Sequence, residues 1–219
     1  MDNEEIRSKD LEMEQTEFLD ASAAASSMQR RLAKPQGFAA LKRLDEEARA
    51  RGYRAATGPS AEFGLRYRVR SRVPIRPPEG EEGAPVQDVH FELSLRALEK
   101  PDSEDQAAIA TAMVTAGQHS EEQDIFLEAR GGNFARAREF KVEGDRLIPT
   151  NSWWTAARDC VLHRCGSVCV GSLVSCSGTW AAYLACVAAA CGGCWVTCAA
   201  CATCNCRWWC RWAPGCCHQ

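Results

Sequence analysis

The first 150 residues of the chain contain neither cysteine nor tryptophan, and the last 60, Cys160 to Gln219, contain no Asp, Glu or Lys. The first absence excludes a disulfide scaffold or a thiolate metal site from the body of the protein, which has to rely on a hydrophobic core. The second excludes a solvated, salt-bridged surface from the C-terminal part. No standard export signal is visible either. Met1 to Asp20 is rich in Glu and Asp and lacks the basic start and apolar run of a secretory leader. Arg30-Arg31 runs into Ala33, Lys34 and Pro35, unlike a twin-arginine signal.

What is present crowds into residues 151–219, which hold all fourteen cysteines and all seven tryptophans. The charge divides at the same place. Residues 1–150 carry 28 acidic and 22 basic side chains, a net of −6, whereas residues 151–219 set Asp159 against four arginines, a net of +3. An acidic body joined to a cationic, apolar tail suggests that the body neutralises and masks the tail. Three regions are expected: a flexible or helical extension over residues 1–34, a body over 35–150 and a cysteine-rich module over 151–219.

In the extension, Ile6, Leu11, Met13, Phe18 and Leu19 are scattered around a helical wheel, which predicts a frayed helix over residues 3–20. The Ala/Ser run Ala21 to Ser27 continues it or serves as a linker. Pro35 suits a first helical turn, Phe38, Leu41, Leu44 and Ala48 recur at helical spacing, and Gly52 stands where a C-terminal cap belongs. From Phe63 the period becomes two, with Leu65, Tyr67, Val69 and Val73 alternating with Arg66, Arg68, Arg70 and Arg72. Further strands are predicted over 89–97, 109–116, 124–129, 134–142 and 146–149, with Gly131-Gly132-Asn133 as a tight hairpin turn. The body is therefore read as α+β, a helix packed on an antiparallel meander.

The arginine stripe has no interleaved aromatic on which bases would stack, and acids such as Glu92 and Glu99 on the next strand are placed to pair with it, so no nucleic-acid partner is expected. His90 and His119 lack a recognisable catalytic companion, and no phosphate loop or nucleophile elbow occurs. Neither an enzyme nor a cofactor is expected.

In the tail, Ser152 or Thr155 is placed to cap a helix. Cys191, Cys194, Cys198 and Cys201 fall three, four and three apart, on one helical face. Cysteines so spaced along one helix are poorly placed to bond to each other but well placed to bridge to a facing helix. The expectation is a helical hairpin in which Cys160, Cys165, Cys169 and Cys176 are stapled to Cys186 through Cys201, while Cys204, Cys206, Cys210, Cys216 and Cys217 tie down a C-terminal loop. Two other readings compete. The Cys191/Cys194, Cys198/Cys201 and Cys201/Cys204 pairs are CxxC motifs open to zinc, although they run together without the polar insert of a zinc module. Residues 180–202 are 23 uncharged positions, followed by Arg207 and Arg211, the pattern of a tail anchor. Arg207, Trp208, Trp209, Arg211 and Trp212 interleave aromatic rings with cations, a membrane-seeking combination.

The two-part plan, the Ser152-Trp153-Trp154 lead-in, the Ala/Gly/Cys-rich run from Cys160 to Cys206 and the cysteine-rich end Cys210 to Cys217 resemble cysteine-rich bacteriocin precursors of the halocin type. The resemblance covers the last third of the chain. It implies that a disulfide-stapled peptide is released by cleavage around Ile148, Pro149, Thr150, Asn151 and Ser152, and that the N-terminal part acts as its immunity protein. The implied partners are target-cell membrane lipids, the chain's own N-terminal domain, a processing protease and an exporter. The precursor is then cytoplasmic and the mature peptide secreted. The alternative is a tail-anchored or zinc-binding accessory protein without toxicity.

Overall fold

The computed structural model describes residues 11–13, 16–58, 61–77, 79–80, 82–143, 146–150, 153–204 and 207–210. Its centre is an antiparallel sheet running β1 (Leu11–Met13), β4 (Glu62–Ile75), β5 (Val86–Glu99), β6 (Gln106–Ala116), β7 (His119–Ala129), β8 (Arg138–Glu143) and β9 (Arg146–Thr150), with β2 (Glu17–Leu19) on β4 and β3 (Arg54–Ala55) on β5. From β4 to β9 each strand pairs with the next, as expected of a meander.

Helices cover both faces. Helices α1 (Ala21–Leu32) and α2 (Pro35–Ala50) lie on one face, and α3 (Trp153–Arg164), α4 (Ser167–Ser175), α5 (Trp180–Cys191) and α6 (Gly193–Cys204) on the other. The strand period assigns the faces. Phe63, Leu65, Tyr67, Val89, Phe91, Leu93 and Leu95 point to the cysteine-rich layer, and their even-numbered neighbours point to α1 and α2. In β6 both sides are apolar: Ala107 and Ile109 sit under α2, while Ala108, Ala110 and Ala112 face the tail. The smaller core combines Leu41, Leu44 and Ala48 with Tyr53, Phe126 and Phe140. The larger core is shared between sheet and tail, so the body does not bury its principal apolar face by itself.

Several local expectations change. The predicted helix over 3–20 gives way, within the described residues, to β1 and β2. The free edge of β4 offers them backbone partners, and Phe18 meets Phe63 edge-on at 6.2 Å. The Ala/Ser run is the start of α1, whose first turn is capped by the Asp20 side chain accepting from the Ala23 N–H at 2.8 Å. Gly64 lets α1 come close, since a Cβ there would stand 3.0 Å from the Ala24 Cβ. Gly131 and Gly132, with φ of 55° and 66°, belong to a 3-10 turn, and Phe134–Arg136 forms a second, so β8 starts only at Arg138.

The arginine stripe of β4 lies on the α1 side of the sheet, with Arg66 and Arg68 half-buried and Arg70 and Arg72 exposed. Glu92 accepts from Arg66 at 2.8 Å, from Arg30 of α1 at 2.8 Å and from the Ser27 hydroxyl. Burial pushes the Glu92 carboxyl up, but Ser27, Arg66 and Arg30 outweigh it and hold the group below its ordinary value. Arg68 and Arg70 both reach Asp88, whereas Glu99 pairs with Arg54 and not with the stripe.

Candidate functional site

The cysteine-rich layer consists of two arms, each broken once. The first arm is α3 and α4, interrupted at Gly166. The second is α5 and α6, which meet at 117° about Gly192, a residue with φ of 53°. The arms run antiparallel, α3 against α6 and α4 against α5, and four disulfides cross between them in nested order. They are Cys160–Cys198, Cys165–Cys194, Cys169–Cys191 and Cys176–Cys186, with Cα separations of 5.6, 6.0, 4.6 and 5.9 Å. This is the expected hairpin, with each arm bent. A fifth bridge, Cys204–Cys210, folds the chain after α6 back on itself, and Cys201 is likewise disulfide-bonded. Cys206, Cys216 and Cys217 lie outside the described residues.

Aromatic residues fix the layer to the sheet. Trp153, Trp154, Trp180, Trp195 and Tyr183 are all at most 1% exposed. Phe134, on the turn before β8, stacks on Tyr183 at 4.4 Å and meets Trp180 edge-on at 4.9 Å. Trp154 donates its indole N–H to the Phe134 carbonyl at 3.1 Å, and Arg158 donates to the Ala135 carbonyl at 2.9 Å. The Tyr183 hydroxyl donates to the Leu173 carbonyl at 3.1 Å, and burial pushes its pKa up, which keeps it a donor.

Two polar side chains of the body serve helix ends of the tail. Glu139 of β8, 3% exposed, accepts from the backbone N–H groups of Trp153 at 3.1 Å and Trp154 at 2.7 Å, the first residues of α3. A carboxylate at this position satisfies donors with no partner inside the helix and lies at the positive end of its dipole. Gln123 of β7 donates to the carbonyls of Thr203 at 2.9 Å and Ala202 at 3.3 Å, at the C-terminal end of α6. Sequence reasoning assigned the α3 cap to Ser152 or Thr155. Ser152 lies outside the described residues, and Thr155 falls inside the helix.

The aromatic-cationic patch is divided between environments. Trp208 and Trp209 are 8% and 5% exposed and pack on His119, Trp209 stacked at 5.7 Å and Trp208 edge-on at 5.1 Å. A Cβ on Gly83 would come within 2.9 Å of the Trp208 ring, so the chain needs a glycine there. Arg207 is exposed. In the intact chain these two rings are therefore part of the docked face, not a free membrane-facing surface. Arg211 and Trp212 lie outside the described residues. The contact between tail and body is apolar and hydrogen-bonded: the ion pairs whose two partners are both described lie within the body, except Arg158–Asp159 within the tail.

No protein-family model, curated protein or solved structure matches this chain. The docked layer and its bridges are the features that carry a functional reading. No single described helix is long and apolar enough to cross a membrane, and the 180–202 stretch divides at Gly192. Of the expected cleavage positions, Ile148, Pro149 and Thr150 form the edge strand β9 opposite Lys141, Phe140 and Glu139, with Pro149 exposed. Asn151 and Ser152 lie outside the described residues.

Proposed function

We propose that the chain is the precursor of a membrane-active antimicrobial peptide. Residues 151–219 are the effector, and the preceding body keeps it inert until a protease cuts around Ile148 to Ser152. One observation supports this above others: all five disulfides with both ends described close within residues 160–210, so the backbone is the link that a single cut removes. The body meanwhile buries Trp153, Trp154, Trp180, Trp208 and Trp209, the residues best suited to a lipid interface. Release exposes that aromatic face on a module that carries Arg164, Arg207 and Arg211 and, after Asp159, no acid. Anionic lipid attracts the arginines, and the apolar hairpin enters without any catalytic step.

The test is dye leakage from anionic vesicles. Oxidised residues 151–219 are expected to cause leakage, and both the intact chain and an equimolar addition of the body are expected to suppress it. Absence of leakage from a peptide whose bridges are confirmed by mass spectrometry overturns the proposal.

A further inference from the structure

We propose that the adjacent bridges Cys160–Cys198 and Cys165–Cys194 open under reducing conditions into a four-thiolate site for one zinc ion. The same sulfurs then staple the two arms through metal in a reducing compartment and through disulfides in an oxidising one. This does not rest on the antimicrobial reading, since a tail without toxicity would hold the ion equally well.

The geometry points to this pair of bridges in particular. The sulfurs of Cys165, Cys194 and Cys198 all lie within 4.8 Å of one another, the one such group among the described residues. Cys160 completes the set as the bonded partner of Cys198. In a tetrahedral zinc site with Zn–S of about 2.3 Å the sulfurs stand roughly 3.8 Å apart, so those three need only small shifts to surround an ion, and Cys160, once freed from Cys198, swings in as the fourth ligand. Cys194 and Cys198 are one turn apart on α6, while Cys160 lies on α3 and Cys165 just beyond its end. Each arm thus supplies two ligands, and the metal crosslinks the arms as the disulfides do. The four are buried or half-buried, which limits competition from water.

Charge favours the arrangement. Four thiolates on a divalent ion leave a net of −2. Cys194 sits in the first turn of α6, where free N–H groups stabilise a thiolate. Arg164 adjoins Cys165, and the one acid of the tail, Asp159, is engaged by Arg158 at 2.8 Å. The chemistry balances. Four equivalents of a small-molecule thiol reduce the two disulfides, yielding four cysteine thiols and two external disulfides. Zinc then displaces four protons to solvent as it takes four thiolates.

The experiment uses the full chain, reduced with a phosphine and alkylated with iodoacetamide before and after addition of zinc, with sites mapped by mass spectrometry. Zinc is expected to lower alkylation of Cys160, Cys165, Cys194 and Cys198 by at least the roughly tenfold that disturbing even a ligand's hydrogen-bond partner costs in affinity. Cys176 and Cys186 should react equally with and without the ion. In a parallel titration, Cys165→Ser/Cys194→Ser should weaken zinc binding at least tenfold by the same measure, and Cys176→Ser/Cys186→Ser should leave it unchanged. Equal alkylation of the four with and without zinc, or protection confined to Cys201, Cys204 and Cys210, overturns the proposal. Because the mapping uses the unmodified sequence, misfolding of a variant does not obscure the outcome.

Discussion

Replacing Glu139 tests whether the body holds the tail through a specific contact or only through apolar area. Its buried carboxylate accepts from two N–H groups, at 3.1 and 2.7 Å, that have no acceptor within α3. A hydrogen bond to a charged group contributes about 1.5–3 kcal/mol, and Glu139→Ala leaves both donors buried without it, so taking the lower figure for each gives about 3 kcal/mol. At about 1.4 kcal/mol per decade this is a roughly hundredfold rise in the opening equilibrium of the first turn of α3. Native-state hydrogen exchange reads it directly, as a loss of about two decades of protection at the Trp153 and Trp154 amides. Glu139→Gln retains a neutral acceptor for one donor and should recover about half of the loss. Protection unchanged within about threefold in the alanine variant refutes the assignment of Glu139 as the cap of α3.

Removing the Phe134 ring, which stacks on Tyr183 and meets Trp180, should cost about 3–5 kcal/mol in denaturant unfolding; a cost below about 1 kcal/mol contradicts its role as an anchor. The nested bridges have sequence separations of 10, 22, 29 and 38 residues that differ successively by only 7 to 12, so each closes a ring of similar size once its inner neighbour exists. Paired serine substitutions should accordingly cost a nearly constant amount, about 2.5–3 kcal/mol each at room temperature by the chain-entropy estimate, with no trend along the ladder. The lowered pKa of Glu92 makes its contribution fully present above its ordinary value of 4.5 and lost as pH falls through the lower folded value. Acid unfolding curves should therefore be steeper for the native chain than for Glu92→Gln, and parallel curves count against the Ser27–Glu92–Arg66 contact as the anchor of α1. Finally, residues 1–150 produced alone should self-associate through the bared Phe63–Phe91–Leu93 face, and oxidised tail added in trans should convert them to a one-to-one complex by light scattering; a monomeric body without tail contradicts the shared core.

The strands and the staples were legible because each is written as a period. Alternation from Phe63 onward marks β4 with its in-and-out faces, and the three-four-three spacing of Cys191, Cys194, Cys198 and Cys201 marks a stripe aimed at a partner helix. The docking was not legible. In β8 the alternation alone sends Glu139 and Lys141 to solvent together, and nothing local reveals that one is covered by the start of α3 while the other stays exposed. His119 and Gly83 carry no signal that the rings of Trp208 and Trp209 settle on them, because that contact joins segments far apart in the chain. The helix expected over 3–20 was misread for a similar reason. Leu11–Met13 and Glu17–Leu19 are strands because β4 has a free edge, which is a property of the sheet and not of the segment. The break at Gly192 was not legible either, since Trp180 to Ala202 reads as one uncharged run and the 117° turn belongs to the folded module.

The borrowed cap decides how a tail detached from the body would behave. A segment so poor in acids has no carboxylate to spare for its own leading helix, since Asp159 is already engaged by the neighbouring guanidinium. Severed from the sheet, α3 loses Glu139 at its head and α6 loses Gln123 at its tail in the same event. Two exposed helix ends must then find oxygen and nitrogen partners elsewhere, and water, a lipid headgroup or a refolded terminus each meets that need differently. A tail so detached would depart from its docked form first at its ends, with its middle still held by the nested bridges.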